Sequence, residues 1–142
     1  METKLNSKIT FFTILLILLF FIPTSKLIAQ EKTAELKEFK VIIEKNDNGI
    51  KLQSEKGSSW VELSFSLNNY IPQAVDEYGM TELKKVSAKK DKNLADFLFT
   101  ITKTESGIEL KGIEGTAWSE LKFSLADNKK QAINQFGMTT LY

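Results

Sequence analysis

A segment built around one tryptophan occurs twice in this chain. Gly57-Ser58-Ser59-Trp60-Val61-Glu62-Leu63-Ser64-Phe65-Ser66-Leu67 returns as Gly115-Thr116-Ala117-Trp118-Ser119-Glu120-Leu121-Lys122-Phe123-Ser124-Leu125, 58 positions later. Extended in both directions, the match covers residues 36–83 and 94–141 without a gap, with 20 of 48 aligned positions identical. Such extent at one fixed offset marks a duplicated unit. Two copies are too few for a solenoid. A unit of 48 residues buries too little surface by itself to offset its chain entropy. The two copies are therefore expected to close on one another.

Each copy reads as strands. Phe39, Val41 and Ile43 alternate with Lys40 and Glu44, and Phe97, Phe99 and Ile101 alternate with Thr100 and Thr102. Period-two spacing of aromatic and branched residues is the pattern of a strand with one buried face. Asn46-Asp47-Asn48-Gly49 and Thr104-Glu105-Ser106-Gly107 follow, each placing Gly where a tight hairpin calls for positive φ. Ile50 and Leu52, or Ile108 and Leu110, begin the returning strand. The third strand carries Val61, Leu63, Phe65 and Leu67 on one face, matched by Leu121, Phe123 and Leu125. Trp60, Glu62, Trp118 and Glu120 fall on the other face. The fourth segment, 73–80 or 131–138, fits either a strand or a short helix, with Pro72 at its start and Gly79 or Gly137 near its end. Eight residues favour the strand.

This predicts an all-β fold: two tandem repeats of about four antiparallel strands, packed as one pseudo-twofold sandwich or barrel-like domain over residues 30–142. Two separate beads on a linker are the competing arrangement. Residues 84–93 connect the copies and carry five Lys against one Asp, the pattern of a solvated connection.

Residues 1–29 have the anatomy of a secretory signal peptide. Lys4 and Lys8 precede an uncharged run from Ile9 to Ile22, Pro23 breaks it, and Ala29 offers a cleavage position. The run is shorter than the roughly 20 residues of a spanning helix. A secreted or periplasmic protein beginning at Gln30 is expected.

Composition narrows the chemistry. There is no Cys, His or Arg. Disulfides, ordinary zinc sites and Ser-His-Asp or Cys-His relays are excluded. Bidentate arginine clamps on phosphate or guanine are excluded too. Beyond residue 29, 16 Lys face 17 acidic residues, so no basic field favours nucleic acid. No cofactor and no metal are expected. The Asn46–Gly49 turn carries calcium-type ligands, but its composition is that of a common turn and its counterpart has lost the amides.

The candidate site residues are Trp60, Glu62, Trp118 and Glu120. A Trp with a Glu two residues on, on the same strand face in both copies, suits a sugar ring stacked on the indole with an acceptor for its hydroxyls. Each Trp could instead cover one end of the core. Glu62 and Glu120 could also meet across the pseudo-twofold axis as a general acid and base, as in glycoside hydrolysis. Asp76 aligns with Asn134, so no symmetric carboxylate site is expected there.

The G-x-A-W-x-x-L-x-F-x-L motif, followed by Q-A-[IV]-x-x-[FY]-G-M, resembles that of small exported proteins of Bacteroidetes-type bacteria with no assigned function. The first copy departs from it at Ser59. The resemblance implies export and carries no active site. The function expected is a non-enzymatic binding or interaction module, with a glycan or a protein of the cell envelope as partner. The alternatives are a small hydrolase using Glu62 and Glu120, and a self-assembling cell-surface structural protein.

Overall fold

Among the described residues, ten strands and one short 3-10 turn follow each other. In the computed structural model, residues 36–85 and 90–142 are described, so the leader and the middle of the Lys-rich connection lie outside the described residues. The first repeat forms β1 (Lys40–Lys45), β2 (Gly49–Lys56), β3 (Glu62–Ser66), β4 (Gln73–Asp76) and β5 (Gly79–Thr81), then the 3-10 turn Leu83–Lys85. The second forms β6 (Leu98–Lys103), β7 (Gly107–Glu114), β8 (Glu120–Ser124), β9 (Lys130–Asn134) and β10 (Gly137–Thr139). Among the described residues there is no α-helix, and no helix long and apolar enough to cross a membrane.

The fourth segment is a strand, as its length suggested, but it continues into a fifth. A tight turn at Asp76–Gly79 or Asn134–Gly137 makes it a small hairpin. Asp76 Oδ1 accepts from the amides of Tyr78 (2.8 Å) and Gly79 (3.0 Å). Asn134 Oδ1 does the same for Phe136 (2.8 Å) and Gly137 (3.1 Å). Both side chains use a carbonyl-type oxygen to hold the turn, so Asp and Asn serve equally. Gly79 and Gly137 have φ of 130° and 132°, a region that disfavours any side chain. Gly49 and Gly107 were expected at positive φ and do not have it. They are needed for space: a Cβ on either would collide with the backbone carbonyl of Phe65 or Phe123 on the neighbouring strand.

The strands make two antiparallel five-stranded sheets, ordered β10-β9-β1-β2-β3 and β5-β4-β6-β7-β8. Neither sheet belongs to one repeat. The terminal hairpin of each repeat crosses over and pairs with the first strand of the other, β9 along β1 and β4 along β6. Residues Glu35–Tyr142 form one unit accordingly, not two beads.

One apolar cluster fills the space between the sheets. Val41, Ile43, Leu52, Val75, Phe99, Ile101, Leu110 and Ile133 have no accessible surface. Phe39 stacks on its own counterpart Phe97 with ring centroids 4.4 Å apart, which puts the pseudo-twofold axis between them. A second symmetric pair closes one end of the sandwich. The buried Lys45 ammonium donates to the carbonyls of Thr104 (3.5 Å) and Glu105 (3.0 Å). Lys103 donates to those of Asn46 (3.4 Å) and Asp47 (3.1 Å). Each repeat thus caps the first hairpin of the other, and a buried charge is solvated by backbone oxygens.

Candidate functional site

The duplicated tryptophans are interior residues. Trp60 and Trp118 are 9% and 8% exposed, and both belong to the core. Their indole N–H groups donate to the carbonyls of Asp76 and Asn134, at 3.0 Å each. Each ring sits on the loop before β3 or β8 and reaches across to the opposite sheet, where the exchanged hairpin turns. Neither offers an open face to a sugar. Of the two sequence readings, the structure places these side chains in the one that covers the core.

Glu62 and Glu120 are on the surface, at the start of β3 and β8, the outer strands of two different sheets. Glu62 pairs with Lys51 at 3.3 Å and Glu120 with Lys122 at 2.8 Å, each within its own sheet. The hydrogen bond from Lys122, and its charge, hold the Glu120 carboxyl below the usual range. A general acid needs the opposite shift. The structure brings neither carboxylate together with the other, nor with the Trp two residues before it.

A concavity with mixed chemistry lies on the outer face of the second sheet. A groove of about 430 Å³ is lined by Thr100 and Thr102 of β6, Glu109, Lys111 and Ile113 of β7, Tyr70 and Pro72 from the β3–β4 connection, and Leu83 of the 3-10 turn. This lies within the range of small-ligand sites. Tyr70 is 65% exposed, Leu83 54% and Ile113 47%, which is much apolar surface gathered around two threonines.

The symmetry-related face shows what is particular about this one. At the positions of Thr102, Ile113 and Pro72 the first sheet has Glu44, Glu55 and Lys130. There, Lys40–Glu55 (2.9 Å), Lys51–Glu62 (3.3 Å) and Lys130–Glu44 (3.8 Å) lace the surface with ion pairs. At these three positions the second sheet is apolar or hydroxyl-bearing where the first is charged, while Lys122 still pairs there with Glu120 (2.8 Å) and Glu109 (3.9 Å).

Tyr70 also stands in an unusual backbone conformation. Its φ is 66°, and that of its counterpart Asn128 is 64°. The cause is shared: the connection must turn so that the Tyr70 amide donates to the Lys103 carbonyl (2.8 Å), as that of Asn128 does to Lys45 (2.7 Å). Asn is at home in the left-handed region and Tyr is not. A strained aromatic that is mostly exposed and lines a groove is the kind of outlier from which a binding role is argued.

Two further clusters carry shifted groups. At the hairpin end, the Asp47 carboxyl is raised and the Asp127 carboxyl lowered, each chiefly through the neighbouring presence of the other. Asp127 also faces the Lys45 ammonium at 3.5 Å. At the opposite end, burial pushes the Glu77 carboxyl up, and the charges of Asp76 and Asp96 add to this. Its counterpart is the neutral Gln135, whose Oε1 accepts the Phe39 amide at 3.2 Å.

Comparison of the chain with protein-family models, with curated proteins and with solved structures finds no match. What the chain defines by itself is an intertwined two-sheet β-sandwich with a groove on the outer face of its second sheet. Identity between the copies pointed to Trp60, Glu62, Trp118 and Glu120. Identical positions in a pseudo-symmetric fold are largely those the fold needs. The groove is marked by the positions at which the copies differ, such as Tyr70 against Asn128 and Ile113 against Glu55.

Proposed function

We propose that the chain is an exported, non-enzymatic binding module that takes a neutral glycan of the cell envelope in the groove on the second sheet. The observation carrying this reading is the exposed Tyr70, its backbone held at positive φ, beside Thr100, Thr102, Glu109 and Lys111. A sugar ring presents an apolar face and a rim of hydroxyls. An aromatic ring, hydroxyls and one charge of each sign meet those needs, as aromatic side chains with polar neighbours do at wet interfaces. Export follows from the leader and cleavage after Ala29, with the periplasm or the cell exterior as location. The likeness to small exported Bacteroidetes-type proteins agrees with this.

Hydrolysis by Glu62 and Glu120 has weaker support. Retaining or inverting chemistry needs two carboxyls about 5–10 Å apart across one cleft. These two are ion-paired on outer strands of different sheets.

The test is a glycan and cell-wall-fragment binding screen, followed by calorimetry on any hit. Tyr70→Asn and Ile113→Glu each install the residue of the other repeat and are expected to abolish binding. Binding that survives both changes refutes the groove.

A further inference from the structure

The four outer strands differ in how well they are protected. β5 and β10 are only three residues long, too short to template a partner, while β3 and β8 have five. Val61 accepts the Ser54 amide, and the Leu67 amide donates to Asn48. Residues 61, 63, 65 and 67 therefore face β2, and the amides and carbonyls of Glu62, Ser64 and Ser66 face away from the sheet. The same alternation turns those of Glu120, Lys122 and Ser124 outward on β8.

The midpoints of these two edges differ. β8 has Lys122 there, its side chain 65% exposed and tied by Glu120 (2.8 Å) and Glu109 (3.9 Å) to its own sheet. Lysine at this position is a common guard of an open edge. β3 has Ser64 instead, with the small Ser66 following. Val61, before β3, is 79% exposed where the other repeat has Ser119. One of two symmetry-related edges is guarded, and the other is open with an apolar residue at its start.

We infer that β3 is a self-association edge, at which two copies of this chain pair β3 with β3 in antiparallel fashion about a twofold axis at Ser64. The two first sheets then join into one of ten strands. In this register Ser64 faces Ser64, and Glu62 faces Ser66 on both sides, so no like charges are opposed. About six backbone hydrogen bonds form, two for each opposed pair. The same operation on β8 sets Lys122 against Lys122, a destabilising pair. A second copy is favoured over a foreign strand because the edge is complementary to itself. β5 flanks β3, since a Cβ on Gly79 would stand 3.8 Å from the Leu63 side chain. The half-exposed Met80 of β5 therefore lies on the same side of the sandwich and adds apolar contact.

The test is sedimentation equilibrium on residues 30–142, which include the whole sandwich, up to about 1 mM. The parent is expected to dimerise reversibly. Ser64→Lys copies the tolerated residue of β8 and should weaken the dimer roughly fivefold or more while leaving the melting curve unchanged. Lys122→Ser should open the second edge and give assemblies larger than dimers. Hydrogen exchange at the Glu62, Ser64 and Ser66 amides should slow as concentration rises. A parent that stays monomeric overturns the inference, as does a dimer indifferent to Ser64→Lys. So does protection of the β3 amides by an unrelated extended peptide with none at high protein concentration.

Discussion

The conformation at position 70 separates a backbone effect from a side-chain effect, and two substitutions read it out. Tyr70 and Asn128 share a φ near 65° because each donates its amide to the first strand of the opposite repeat. A residue with a Cβ pays about 1–2 kcal/mol in that region, and Asn recovers part of this through its short polar side chain. Replacing Tyr70 also removes the ring of a residue that is 65% exposed. Tyr70→Ala and Tyr70→Asn lose the same ring contacts, so the difference between them reports the backbone. The Asn variant is expected to be the more stable by about 0.5–1 kcal/mol. For a domain of this size that is roughly 2–6 °C in Tm. Scanning calorimetry on both variants and the parent measures it, and both variants should lose binding in the groove. An Ala variant as stable as the Asn variant would refute the reasoning, because the turn would then have relaxed to negative φ at no cost.

Glu77→Gln installs the residue of the second repeat and is expected to raise Tm at neutral pH. The folded carboxyl is held above its ordinary 4.5 by burial, so the native state binds its proton more tightly than the unfolded chain. Parent stability from this group therefore falls as pH rises from about 4.5 through the raised value, and the gap to the variant widens over that window. Melts between pH 4 and pH 7 check it, and a gap that is constant or narrows with pH contradicts it. Trp60→Phe keeps an aromatic in the core but leaves the Asp76 carbonyl without its indole donor, for a loss of about 1 kcal/mol. Trp60→Ala should cost about 3–5 kcal/mol in denaturant titration, a large part of a typical domain's stability. Lys45→Met removes the donor to Thr104 and Glu105 and should cost about 1–3 kcal/mol, read as a lower denaturation midpoint. An unchanged midpoint would show the clasp to be solvated equally well by water. Either repeat expressed alone should show no cooperative melt as high as the parent's, because β1 and β6 each lose a paired neighbour.

Strands and turns were legible in the residues alone, because alternation is a property of one strand and its two faces. Val41 and Ile43 inside with Glu44 outward, the Asn46–Gly49 turn, and the all-β class follow from the local period and from turn chemistry. So does the need for two copies, from the small area one could bury. Three features depended on which strand lies beside which. The exchange of β4–β5 and β9–β10 between sheets could not be read, since a period of two says that a face is buried but not by what. The role of Trp60 and Trp118 was open for the same reason: they fall out of phase with their strand's apolar stripe, yet the hairpin turn of the opposite sheet covers them. The groove assembles Tyr70, Leu83, Thr100 and Ile113 from four separate places in the chain, and only the packed sheet makes them neighbours.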